Sequence, residues 1–200
     1  MNDTPALPLK LVDGLELPGP YRKALKPGEL LSDAQGRGRR LPRFFYQIES
    51  WDAALKTALT SHFALWEFIN VDLRETEAMR SFPKYVPCAV TLLAVHLEVF
   101  REHIGTVVHV AANGGYRSPA HELSKNASTH CWGTAVNIYR IGNDYLDDQE
   151  KIERYGGIAA KKLPSLWPRP YGHDAGCADD HLHLDLGYVL LMPRDAGSEG

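Results

Sequence analysis

Asp180-His181-Leu182-His183-Leu184-Asp185-Leu186 alternates polar and apolar residues without a break. Side chains on a strand point to alternate faces. The pattern therefore predicts a strand that sends His181, His183 and Asp185 one way and Leu182, Leu184 and Leu186 into a core. A sheet face that only meets water usually carries Thr, Lys, Glu or Ser. Two imidazoles and a carboxylate in one row point instead to chemistry. This strand is expected to run from His181 to Leu190.

Upstream, Ser128-Thr129-His130-Cys131-Trp132-Gly133-Thr134-Ala135-Val136-Asn137 offers a second imidazole-bearing segment. Gly133 lets a loop carrying His130 turn into a strand over Thr134 to Ile141. On it Val136 and Ile138 face the core, and Ala135, Asn137 and Tyr139 face the other side. His130, His183 and the oxygen of Asn137 would give three ligands and leave one position open, the general form of a catalytic zinc site. Asn137 stands where a carboxylate is expected. A neutral amide is the poorer donor, and losing a ligand charge weakens both affinity and discrimination between metals. Asp180, three positions before His183, is the candidate general base. Zinc brings the pKa of water toward roughly 7, so a modest base suffices. Arg117, just after the Gly114-Gly115 turn, is the natural cation for a substrate carbonyl or carboxylate.

The rest of the chain bounds the reading. Two hundred residues fit one domain with a sizeable core. A net charge of -3 leaves no basic footprint for nucleic acid. No apolar run approaches the roughly 18–20 residues of a membrane span. The N-terminus lacks a charged-then-apolar leader pattern. Cytoplasmic location is expected if Met1 is the native start, and export otherwise. Residues 1–43, rich in Pro and Gly, read as an extended arm lying on the domain or disordered, with the domain proper over 44–195. Arg37, Arg39, Arg40 and Arg43 read first as a solvated loop and second as a polyanion contact. Cys88, Cys131 and Cys177 are an odd set, read as free thiols, with a Cys131–Cys177 bridge as the alternative.

Helices are expected from Trp51 to Leu59 with Ser50 as cap, from Pro87 to Ile104 ending at Gly105, and briefly from Ser118-Pro119. A further helix is expected from Asp148 to Tyr155, where Gly156-Gly157 interrupts it. Thr106 to Ala112 reads as a strand and 163–176 as a loop. His96 and His109 read as packing histidines.

Taken in order, Gly115-Tyr116-Arg117-Ser118-Pro119-Ala120-His121, Ser128-x-His130-x-x-Gly133-x-Ala135-x-Asn137 and His181-x-His183-x-Asp185 resemble the motifs of the zinc D-Ala-D-Ala carboxypeptidase family. That family shares its fold with the hedgehog signalling domain. His62 to Phe68 is similar to the family's lead-in to its long helix, so the likeness covers roughly residues 60–190. It implies an α+β domain with a small antiparallel sheet flanked by helices, and zinc held by His130, residue 137 and His183. It further implies that Arg117 binds substrate and polarises the scissile carbonyl, that Asp180 is the base, and that His181 assists the tetrahedral intermediate. Tyr116 and Ser128 join Arg117 as expected substrate contacts. Substrates would be small cell-wall-type peptides. The family has Asp where this chain has Asn137, and the stretch between His121 and Ser128 is trimmed. A peptidase-like binding module without turnover is therefore the second reading. A metalloenzyme of another reaction class on the same scaffold is the third.

Overall fold

Two small antiparallel sheets meet at a common apolar core, with helices against them. The computed structural model describes residues 9–173 and 179–194. The N-terminal part comprises β1 (Lys10–Asp13), α1 (Gly19–Leu25), β2 (Leu30–Ser32), β3 (Gly38–Arg40) and β4 (Phe44–Gln47). Next come α2 (Trp51–Lys56), α3 (Leu65–Ile69), α4 (Glu77–Arg80), β5 (Tyr85–Pro87) and α5 (Val90–Ile104). The C-terminal part holds β6 (Val108–Val110), β7 (Ala135–Ile141), β8 (Asp144–Tyr145), α6 (Gln149–Lys162), β9 (Trp167–Pro168) and β10 (Leu182–Asp185). A 3-10 helix over Thr129–Trp132 precedes β7.

The first sheet has the order β1-β4-β5. The second has the order β6-β7-β10-β9, with β8 also paired to β7. Val136, Ile138, Leu182 and Leu184 are sealed beneath it with Leu93, Leu97 and Phe100 of α5 and Ile152, Tyr155 and Ala159 of α6. The opposite face is left to polar residues. The mixed helix-and-sheet expectation therefore holds at the level of small antiparallel sheets. Among the described residues, no helix is long and apolar enough to cross a membrane.

Several local expectations change. The boundary at residue 43 is not one: β1 pairs with β4 across it, from Lys10↔Gln47 to Asp13↔Phe44. Leu17, Ala24, Leu25 and Leu41 are buried, so residues 10–43 belong to the fold. The arginine-rich loop is the hairpin β2–β3, where Asp33 binds Arg37 and Arg39. Pro87 closes a strand instead of opening α5. Ser118-Pro119 opens turns rather than a helix; the Ser118 hydroxyl donates to Glu75 and accepts from the Ala120 amide. Helix α6 runs through Gly156-Gly157. Gly156 faces the sheet, where a Cβ would meet Pro168 and Leu182 at ordinary contact distance. The stretch read as loop carries β9, which hydrogen-bonds to β10. The last strand stops at Asp185, not Leu190. Cys88 and Cys131 are buried thiols. Cys177, the other end of the possible bridge, lies outside the described residues.

Candidate metal centre

The site is assembled where β7 and β10 lie side by side, next to the 3-10 helix. In the antiparallel register His183 sits directly opposite Asn137, so their side chains share a face. His183 Nδ1 is 2.9 Å from Asn137 Oδ1. The His130 ring stands edge-on to the His183 ring, with centroids 5.2 Å apart. The three expected ligand residues thus come together around one point.

Each imidazole is set by its other nitrogen. His130 Nδ1–H donates to the Gly115 carbonyl at 2.7 Å, which leaves the Nε2 lone pair bare. The Asp185 carboxylate accepts from His183 Nε2–H at 3.0 Å, and Nδ1 faces the Asn137 amide. Asp185 is itself held, because Oδ1 accepts the Gly187 amide at 2.7 Å. Outer partners of this kind orient metal-binding histidines. Burial, followed by the nearby charges of Arg117 and His183, holds the pKa of His130 well below the ordinary histidine value.

The supporting loops are locked by their own chemistry. Gly115 lies against the backbone of Phe68 so tightly that a Cβ would overlap it, and the Tyr116 amide donates to the Phe68 carbonyl at 2.6 Å. That contact aims the Gly115 carbonyl at His130. Buried Glu75 accepts from the Ser118 amide at 3.0 Å and from its hydroxyl at 2.6 Å. Gly133, with φ of 68°, takes the left-handed turn that frees β7 from the 3-10 helix. Thr134 Oγ1 bonds to the Gly187 carbonyl at 2.6 Å and ties this turn to the end of β10. From the N-terminal hairpin, the Arg40 carbonyl accepts from the Trp132 indole at 2.8 Å.

The remaining expected residues fall into distinct places. Arg117 is buried, and its amide donates to the His130 carbonyl at 3.4 Å. His181 precedes β10, and its Nδ1–H donates to Asp180 Oδ1 at 2.7 Å. Its Nε2 accepts from Arg169 at 3.3 Å. Burial lowers the His181 pKa, and the bond to Asp180 opposes that shift. Asp180 itself is open, with 70% of its side chain exposed. Ser128 is half-buried and heads the 3-10 helix without capping it through its hydroxyl. Tyr116 is corrected: its side chain is 2% exposed inside the core, so it offers no surface to a substrate. His96 bonds its own helix at the Leu92 carbonyl, as a packing histidine does.

Three participants carried little or no sequence signal. Glu75 sits in a stretch with no motif. Trp167, half exposed, brings its ring to 6.1 Å from that of His183 only because β9 pairs with β10. Asp185 was visible in the alternation, but its bond to His183, two positions away on the same face, is a fact of side-chain geometry. Among the described residues, no three His, Cys, Asp or Glu side chains gather as a metal-binding group. The third donor of this cluster is an amide. In comparisons with known proteins, no family model, no curated protein and no solved structure matches the chain.

Proposed function

We propose that the chain is a zinc-dependent peptidase of the carboxypeptidase or dipeptidase type, acting on small cell-wall-type peptides. On this reading its scaffold is the one shared by zinc D-Ala-D-Ala carboxypeptidases and hedgehog signalling domains. One observation carries it. His183 Nδ1 faces the carbonyl oxygen of Asn137 at 2.9 Å, while Nε2 is held by Asp185. A cation there would be met by that oxygen, by His183 Nδ1 and by Nε2 of His130, whose Nδ1–H is spent on Gly115. Zn2+ would be held by His130, Asn137 and His183, more weakly than by a site with a carboxylate in place of the amide. When bound, zinc supplies a Lewis acid that polarises a carbonyl and acidifies water.

The protein's own residues supply the rest. Arg117 brings a fixed positive charge beside the cluster, suited to a substrate carbonyl or carboxylate. Asp180 takes a proton from water as the oxygen adds to the peptide carbon, and returns it to the leaving amine. His181, bonded to Asp180 through Nδ1–H, holds that carboxylate in place, and its Nε2 would have to exchange Arg169 for the substrate to assist the tetrahedral centre.

Zinc titration followed by a hydrolysis assay on D-Ala-D-Ala and short L-peptides tests the reading. Binding near one equivalent with cleavage supports it. No zinc uptake at equimolar metal and no cleavage of any short peptide rejects it. The second reading, a binding module, draws on the same Asn137. Turned half-way round, its amide would donate an N–H to His183 Nδ1 and close the cluster without a cation. Asn137→Asp separates the two. It adds a ligand charge, and on the peptidase reading zinc affinity rises on the order of tenfold while hydrolysis persists. Hydrolysis that appears only in the variant marks a disabled site.

A further inference from the structure

On β7, Ile138 and Ile141 are both in the core, yet only two residues separate them. Strict alternation would send Arg140 inward with Ile138. Instead the register breaks, because Val110 pairs with Ile138 while His109 pairs with Arg140. Tyr139 is the extra residue of a β-bulge, a device that re-aims side chains and is common beside active sites. Tyr139 and Arg140 consequently both leave the core. Tyr139 is 37% exposed.

Around Arg140 the bulge gathers a small polar and aromatic cluster. The register places His109, Arg140 and Tyr145 in one row across β6, β7 and β8. The guanidinium carbon lies 5.9 Å from the Tyr139 ring centre and 5.5 Å from that of Tyr145. His109 Nε2 accepts from Arg140 Nη2 at 3.0 Å, and the Tyr145 hydroxyl accepts weakly from Nη1 at 3.5 Å. A guanidinium has five N–H donors, and these two bonds leave most of them unspent; Nε is buried without a partner. Among the described residues no carboxylate pairs with Arg140. The nearest acid in sequence, Asp144, is engaged by the Tyr155 hydroxyl at 2.5 Å and by Arg154 at 3.6 Å. Burial, and then the charge of Arg140, lowers the His109 pKa, which keeps that ring an acceptor.

We propose that Arg140, with Tyr139, Tyr145 and His109, forms a second subsite that receives a carboxylate of an extended peptide lying along β7. Arg140 lies three positions beyond Asn137 on the strand, or about 10 Å. An extended peptide covers that distance in about three residues. The carboxylate therefore belongs two to three residues from the bond held at the His130–Asn137–His183 cluster. The guanidinium supplies the charge and forked donors, and the two neighbouring tyrosine rings shield the cation on one side. This deepens the peptidase reading and rests on it for where the peptide lies.

The test uses the full chain and tetra-alanine peptides with free termini that carry Glu or Gln at each position in turn. Calorimetry gives affinity, and product analysis with added zinc gives cleavage. In one register Glu should bind about tenfold more tightly than Gln, as a charge-assisted bond to arginine requires. Arg140→Gln should abolish the difference, and Arg140→Lys should keep part of it. Far-ultraviolet circular dichroism checks that both variants fold. Equal affinity for Glu and Gln in every register, including no binding of either, overturns the subsite. So does a Glu preference that survives in Arg140→Gln. Cleavage of both peptides with equal kcat/KM keeps the peptidase and removes the subsite. A Glu preference that depends on Arg140, without any cleavage, does the reverse.

Discussion

Asp185 serves two neighbours with two oxygens: Oδ2 takes the proton-bearing nitrogen of His183, and Oδ1 takes the Gly187 amide. The first bond decides which His183 nitrogen faces the cluster, and the second keeps the carboxylate from turning away. Replacing Asp185 with Asn should lower zinc affinity about 10- to 100-fold, the usual cost of losing an outer partner of a ligand histidine. A chelator-competition titration measures it, and long-range proton–nitrogen spectra of His183 report the tautomer directly. An unchanged tautomer in the variant would refute the role. At this scale the sequence was readable where periodicity spoke. The alternation around His183 and the turn at Gly133 placed His130, Asn137 and His183 near one another. It was unreadable where a side chain's direction depends on distant packing, as for Tyr116, whose ring the core absorbs.

Among the elements, the Gly114-Gly115 turn is the tightest joint. A methyl group at Gly115 would overlap the Phe68 backbone, and one at Gly114 would press on the carbonyls of Ala111 and Asn137. Gly115→Ala should destabilise the fold by about 1–3 kcal/mol, in line with overpacked sites, and displace the carbonyl that orients His130. Urea unfolding checks the first effect, and weaker zinc binding by the folded fraction checks the second. The 3.6-residue periodicity of α5 made that helix legible almost to its ends, and Gly105 closes it in the left-handed conformation. Helix α6 was cut short on sequence because two glycines normally weaken a helix. There Gly156 faces Pro168 and Leu182 from within an unbroken helix, so the packing of α6 on the sheet outweighs the two glycines. The bulge that turns Arg140 outward was equally hidden, because a single extra residue leaves no mark on composition.

For the whole molecule, buried histidines set the response to acid. The His121 side chain has no exposure. Burial lowers its pKa, and the charge of Glu75 only partly offsets that. An unfolded chain binds a proton at this residue near pH 6.5, while the folded chain resists doing so. Below that pH the unfolded state therefore holds more protons, and stability falls as pH falls. Urea midpoints between pH 7.5 and 5.5 should decline, and His121→Gln should flatten the decline. A steeper slope in the variant would contradict the assignment. The N-terminal 43 residues were the least legible part. Their strands are short, and their partners, such as the Arg40 carbonyl bonded to Trp132, lie far along the chain.

Strand β10 forms late in the chain yet lies in the interior of its sheet, between β7 and β9. A ribosome that halted before residue 182 would release a molecule with two raw edges and one imidazole of the pair. Such a fragment has unpaired backbone on offer to any neighbour. Only the chain that has zipped in this strand has both an intact sheet and His183 set opposite Asn137.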